Sequence, residues 1–408
     1  MSTEELLAAY QLGSFCLGPD QFLPKVASFL KSMSETLPPL VAPLPEPNIE
    51  LKGLTPSQEK AVKLAFQRRL SLIIGGPGTG KTYTAGVLLS LLSKSEMSIG
   101  CAAPTGKAAE RLKGSFSVES RTLHSLLGVG KDPREVPPFL PYDLLIVDEA
   151  SMIDPHLFTL LLEKIPPHGR LLLIGDPDQL PPVEGGSFFS PLAELYLSKG
   201  WTERLAASHR TANQSLLSFA EAVRKGDLAE IEQLFPQFYS SAKEPPEGVR
   251  ILSPFKMAVD EINRKSFQRA LKREETKFPI LLTKNAPSLS LWNGEVGEIK
   301  LAGATKFSDL RCHPKAVATI GGKSIPPTAL PPFDLAYALT IHKSQGSEEE
   351  AISLLLPQKA ELTRALLYTA ITRAKKSFTI YGEKEPFFEA IGKVPPPHQL
   401  PLLFPQLC

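Results

Sequence analysis

Four cysteines in 408 residues, at Cys16, Cys101, Cys312 and Cys408, are too few and too scattered for a disulfide framework or a metal knuckle. They read as buried or inert thiols. No apolar run approaches the ~20 residues that a membrane helix needs. The first ten residues, MSTEELLAAY, have neither a basic start nor an apolar core, so a signal peptide is not expected. Charge of either sign is not in excess: 45 Lys+Arg stand against 43 Asp+Glu, a net +2. Bulk electrostatics therefore do not announce a nucleic-acid ligand, and any basic track must be local. These features together lead us to expect a soluble, cytoplasmic protein.

Proline is plentiful, with 39 residues against a usual share of ~5%. Hydrophobic residues at 42% and charged residues at 22% match an ordinary globular chain. At roughly 100–200 residues per domain, the length allows two to four domains. Residues 1–37 have the spacing of two short amphipathic helices, and the proline-rich stretch 38–48 reads as a stiff linker, so 1–50 form an N-terminal segment. From residue 51, short apolar runs (SLII, MSIGCAAP, DLLIVDEA, RLLLIG) alternate with helical stretches, the pattern of an α/β domain with a parallel sheet, here 51–198. A second α/β set, 199–408, includes VRILSPF, AYALTIHKSQG and SFTIYG. Within it, 279–333 lacks helical periodicity and reads as a small β-rich insertion.

The first apolar strand runs into Gly75, Gly76, Pro77, Gly78, Thr79, Gly80, Lys81 and Thr82, which fit GxxxxGK[ST] and open a helix. Glycines let backbone N–H groups wrap phosphate oxygens, and the helix N-terminus adds unpaired donors. Lys81 is placed to reach the β/γ-phosphates of ATP, and the Thr82 hydroxyl to bind Mg²⁺. Asp148 and Glu149 follow a second apolar strand, at the end where α/β sheets bind ligands. Asp148 would hold Mg²⁺ through water, and Glu149 would polarise the attacking water. Gln179, in GDPDQLPP, can contact the γ-phosphate and report it. Arg210 in SHR and Arg373 in YTAITRAKK are candidates for stabilising charge on the transferring phosphoryl group. Taken singly, each arginine reads more readily as an ordinary surface ion pair, and it is the company of the other motifs that points to the phosphoryl group.

In this order the motifs resemble those of superfamily 1 helicases over about residues 51–382. The wording of PTGKAAERL, TLHSLLG, VDEASMID and GDPDQLPPVEGGSFF is similar to the RecD branch, superfamily 1B. The resemblance implies two RecA-like P-loop NTPase domains with ATP in the cleft between them and an SH3-like β insertion in the second. It implies adenine contact by Gln58 in TPSQ, and Gln345 and Gly346 of motif V at the nucleotide. It implies 5′→3′ movement on single-stranded DNA and RecB- and RecC-like partner subunits. Pro104, Thr105 and Lys107 of motif Ia, Thr122 and His124 of motif Ib, and His342, Lys343 and Ser344 of motif V are the candidate DNA contacts. Hydroxyls and cations on loops suit a sequence-blind backbone grip. The plainer alternatives are helix capping, surface charge and, for His124, a satisfied core histidine. No second acidic cluster with a nearby lysine suggests a nuclease. The expected function is a RecD-like subunit of exonuclease V. The competing expectations are a stand-alone helicase of the same superfamily, on DNA or RNA, and an ATP-binding structural subunit.

Overall fold

The computed structural model describes residues 51–393, less 52, 94–96, 117, 131, 133–135, 183–186, 206–213, 243 and 357–361. The two N-terminal helices and the linker expected in 1–50 lie outside the described residues. The chain forms two compact units that divide between residues 210 and 211.

In the first unit, helix α1 (Pro56–Gln67) begins with a reciprocal cap. The Thr55 hydroxyl accepts from Gln58 N–H, the Gln58 amide oxygen accepts from Thr55 N–H at 2.9 Å, and Pro56 sits where no donor is needed. The chain continues through β1 (Leu70–Ile74), α2 (Lys81–Leu92), β2 (Ile99–Ala103), α3 (Gly106–Phe116) and β3 (Ser120–Thr122). The single turn α4 (Leu123–Leu126), β4 (Leu144–Val147), α5 (Pro155–Lys164), β5 (Arg170–Gly175) and α6 (Phe189–Ser198) complete it. The strands pair in the order β1-β5-β4-β2-β3, all parallel.

Strands β1, β4 and β5 are buried from end to end, which is why they read as mainly apolar runs. Their alternate residues serve two cores. Leu72, Leu145, Val147 and Leu173 face Phe158 of α5 and Phe189 of α6. Ile73, Leu144, Ile146 and Leu172 face Val62 of α1, Leu88 of α2 and Leu112 of α3. Truncating a side chain such as Phe158, 1% exposed, costs about 3–5 kcal/mol in cores of this kind. The strand order sets the carboxyl ends of β1, β5 and β4 side by side.

The second unit holds α7 (Gln214–Lys225), α8 (Leu228–Phe238), β6 (Tyr239–Ser240), β7 (Arg250–Ser253) and α9 (Lys256–Lys272). After the insertion come β13 (Ala338–Thr340), β14 (Glu349–Leu356), α11 (Arg364–Ile371), β15 (Ala374–Gly382) and α12 (Glu385–Gly392). This second sheet is also parallel, ordered β13-β7-β14-β15-β6. Its edge strand β13 is capped by a buried side chain: Asn263 of α9 donates to Ala338 O at 3.1 Å and accepts from Ala338 N–H at 2.8 Å. Phe219 stacks on Phe238 and Phe387, and Phe235 lies tilted against Phe387, where α7, α8 and α12 meet.

The insertion is an antiparallel sheet, β11-β10-β9-β8-β12, built from β8 (Lys277–Leu282), β9 (Val296–Lys300), β10 (Val317–Ile320), β11 (Lys323–Ile325) and β12 (Phe333–Leu335). Its first and last strands pair with each other, Phe333 opposite Leu282. Phe278, Ile280, Ile299, Ala318 and Phe333 form its core together with Phe267 and Ala270 of α9. One helix, α10 (Phe307–Cys312), interrupts it, and at six residues it is too short to display a helical period in sequence. No helix among the described residues is long and apolar enough to cross a membrane.

Candidate active site

The three motif loops of the first unit leave adjacent strands. The loop after β1 wraps on itself: the Thr79 hydroxyl donates to Gly76 O at 2.8 Å, and Lys81 Nζ donates to Gly75 O and Gly76 O at 2.8 and 2.9 Å. Gly80 has φ +82°, a left-handed conformation in which glycine is at ease. A Cβ there would also lie 2.6 Å from Gln58 Nε2. Gln58 itself is 6% exposed and spans two elements, its oxygen capping α1 and its Nε2 donating to Thr79 O at 3.1 Å. It therefore fixes the loop to the helix before it. Thr82 opens α2 and is half-buried.

After β4, Asp148 is 2% exposed. Its Oδ1 accepts from Glu149 N–H at 2.8 Å. Burial raises its carboxyl above the ordinary range and the Glu149 charge adds to this, while Arg111, the Glu149 N–H and Lys81 pull the other way. Glu149 has φ +54° and ψ +38°, an uncommon backbone for a non-glycine residue. Arg111 of α3 reaches both acids, at 3.3 Å from Asp148 Oδ2 and 2.9 Å from Glu149 Oε1. Burial works against the Arg111 charge, but the two carboxylates outweigh it and lift its pKa. Behind them, burial and then Asp148 push the Cys101 thiol to about 12, the inert state expected of it. Cys312, by contrast, is exposed.

The loop after β5 is organised by a buried acid. Asp176, 1% exposed, accepts from Asp178 N–H at 3.2 Å on one oxygen and from Gln179 Nε2 at 3.2 Å on the other. Gln179 is thereby held in one orientation. Asp178 pairs with Arg204, whose neighbour Leu205 donates its N–H to Ile74 O at 2.8 Å, beside the start of the phosphate loop.

Sequence reasoning gave no role to Arg111, Asp176 or Arg204. Arg111 and Asp176 stand inside the quoted motifs PTGKAAERL and GDPDQ, so proximity to a motif was the available signal.

The other expected contacts are spread over separate loops. Thr105 accepts from Ala108 N–H and Thr122 from Ser125 N–H, both at 3.3 Å, so both hydroxyls cap helices. Pro104 and Lys107 are half-buried and His124 is exposed, which removes the core-histidine alternative. In the second unit, Ser344 is 4% exposed and its hydroxyl donates to Ile341 O at 2.7 Å. His342 is half-buried and burial lowers its pKa, while Lys343 pairs with Asp334 at 3.6 Å. Gln345 closes the same turn with its N–H on His342 O, and Gly346 follows at φ +69°. Arg373 is 4% exposed and donates to Thr369 O, Ser347 O and the Thr372 hydroxyl at 3.1, 3.3 and 3.2 Å. Arg210 lies outside the described residues. A cleft of about 700 Å³ in the second unit is lined in part by Tyr337, Glu349 and Glu350, which flank motif V, and its rim carries charges paired with one another, such as Arg269–Glu244 and Arg250–Glu349.

Comparison with known proteins gives this geometry a family. Residues 53–237 match the model of an AAA domain, and 335–381 match that of a UvrD-like helicase C-terminal domain. The RecBCD enzyme subunit RecD of Mycolicibacterium smegmatis is 32% identical, across 82% of this chain and 72% of the relative. The ATP-dependent RecD2 DNA helicase of Deinococcus radiodurans is 30% identical over 88% of this chain, which spans 53% of that helicase. Among solved structures, Bacteroides Pif1 bound to ssDNA aligns over 80% of this chain and 92% of its own, with a TM-score of 0.55 at 18% identity. Pif1 helicase from Candida albicans aligns over 83% and 96%, at 0.54 and 19%. The structural likeness gives the fold, two parallel sheets with an antiparallel insertion, and the sequence likeness gives the kinship: the chain belongs to the RecD family of superfamily 1 ATP-dependent DNA helicases.

Proposed function

We propose that this chain is an ATP-driven motor that moves 5′→3′ on single-stranded DNA, as the RecD-type subunit of a recombination nuclease with RecB- and RecC-like partners. The observation that carries the motor is the convergence of Lys81, Asp148, Glu149 and Gln179 on three loops from the adjacent strands β1, β4 and β5. Lys81 exchanges its two loop carbonyls for β/γ-phosphate oxygens. Glu149 takes the proton of the attacking water, Gln179 reads the γ-phosphate, and Arg210 and Arg373 are assigned to charge on the transferring phosphoryl group.

The residues at the loop fit Mg²⁺. A hydroxyl at Thr82 and a buried carboxylate at Asp148 are hard oxygen donors. Mg²⁺ held by one or two protein groups plus phosphates and water needs no acidic cage, and among the described residues no cage of three or more ligands occurs. When bound, the ion neutralises charge on the phosphates. Thr105, Lys107, Thr122, His124, His342 and Lys343 are the proposed grip on the DNA backbone, as hydroxyls and cations on loops.

The test is DNA-stimulated ATP hydrolysis by the purified chain. We expect Lys81→Ala to abolish it and Glu149→Gln to bind ATP and DNA yet turn over very slowly. Hydrolysis within about threefold of wild type in either variant removes the assignment. The second reading, a helicase acting as an isolated chain, is favoured by the match to the RecD2 DNA helicase over 88% of this chain. Affinity capture from the native cell separates the two: RecB- and RecC-like proteins accompany a subunit and are absent from a stand-alone motor.

A further inference from the structure

Arg111 stands where two parts of the first unit meet. It belongs to α3, whose opening turn holds the proposed strand contacts Thr105 and Lys107. Lys107 and Arg111 are four residues apart, so they lie on one face of the helix. At its far end the guanidinium bonds Glu149 Oε1 at 2.9 Å and Asp148 Oδ2 at 3.3 Å. Glu149 is held from the other side as well, since its left-handed backbone is fixed by its own N–H on Asp148 Oδ1. The guanidinium occupies one of the two Glu149 carboxylate oxygens and offsets the negative charge that would draw a proton from water. The Arg111 side chain is 47% exposed, so part of the guanidinium remains open to solvent.

We propose that Arg111 is a positioning residue that makes hydrolysis answer to DNA: it latches Glu149 while motif Ia is empty and releases it when a strand engages Thr105 and Lys107. The latch also holds Asp148 Oδ2, one of the two oxygens that could serve a divalent cation, so strand binding would release it in the same movement. The coupling is reciprocal, as any linkage between two sites must be. This inference rests on the proposed DNA-stimulated hydrolysis.

The experiment compares wild type, Arg111→Ala and Arg111→Lys with and without oligo-dT. In Arg111→Ala we expect basal hydrolysis to rise and the DNA-stimulation ratio to fall by about fivefold or more, the lower end of a typical coupling. Arg111→Lys, which keeps the charge and one donor, should fall between. A second readout needs no turnover: the Mn²⁺ concentration that half-saturates binding of a fluorescent non-hydrolysable ATP analogue. Oligo-dT should lower it in wild type, and Arg111→Ala should have the lowered value with or without DNA. A wild-type stimulation ratio in Arg111→Ala, or an Mn²⁺ midpoint that responds to DNA alike in both proteins, overturns the latch. Basal and stimulated rates falling in parallel, with a lower melting temperature, also overturns it and makes Arg111 a structural ion pair. If wild type itself is not stimulated by DNA, the motor reading fails first and takes this one with it.

Discussion

At the scale of single residues, Asp148 is nearly inaccessible, and its raised carboxyl has a consequence for stability. A group whose folded-state pKa is raised holds its proton more readily folded than unfolded. Its cost to folding is therefore small in acid and grows as pH rises through that window. We expect Asp148→Asn to melt above wild type near neutral pH without nucleotide, and the gap to narrow as pH falls. Thermal melts across that range, with hydrolysis measured alongside, check the prediction; activity should be lost. Arg373 poses the opposite case, since all its named bonds lie inside the second unit, to Thr369, Thr372 and Ser347. If it also serves the phosphoryl group, Arg373→Ala lowers turnover by at least ~10³. It should also lower the melting temperature, because buried acceptors lose a charged donor. A lower melting temperature with unchanged turnover would assign Arg373 to joining motifs V and VI and nothing more. Residues of this kind separate what is legible in sequence from what is not. Lys81 and Thr82 announce themselves because the loop chemistry is local. Arg111 meets Asp148 across 37 positions of chain, and Arg204 meets Asp178 across 26. No spacing rule reaches that far.

Elements were readable wherever burial dictated composition. Strands β1, β4 and β5, buried from end to end, are dominated by Leu, Ile and Val, with Ser71, Arg170 and Gly175 the exceptions. The two-residue β6 and the six-residue α10 carry too few positions to show any period. The pairing of Asn263 with Ala338 was equally out of reach, because a lone asparagine in a helix does not reveal which backbone it will cap. The junction of α1 with the phosphate loop offers a test at this scale. Gly80→Ala places a Cβ against Gln58 Nε2 in a left-handed backbone, a conformation that costs an L-residue about 1–2 kcal/mol. We expect a lower melting temperature together with weakened ATP binding, measured by a fluorescent analogue. Gln58→Ala, which removes the obstacle and the tie at once, should soften the ATP defect of Gly80→Ala without restoring wild-type stability.

At the scale of the whole molecule, direction of travel is the property that neither composition nor geometry displays. It enters through kinship with RecD. We expect displacement of streptavidin from a biotin at the 3′ end of a single strand, the block met by a 5′→3′ motor. Displacement only from the 5′ end would reverse the polarity. The placing of the antiparallel insertion has a different kind of consequence. Because β8 and β12 lie side by side, with Phe333 opposite Leu282 and Thr283 N–H on Pro332 O at 2.8 Å, the chain leaves the parallel sheet and returns to it through one doorway. Whatever is threaded beyond that doorway, the chain enters and leaves by the same two paired strands. The material between residues 283 and 332 can therefore change in length while the entry and exit strands are kept, provided contacts such as Phe307 on Phe267 of α9 survive. Size variation among descendants of this architecture should collect there and spare the strands that carry Thr340 and Ser253.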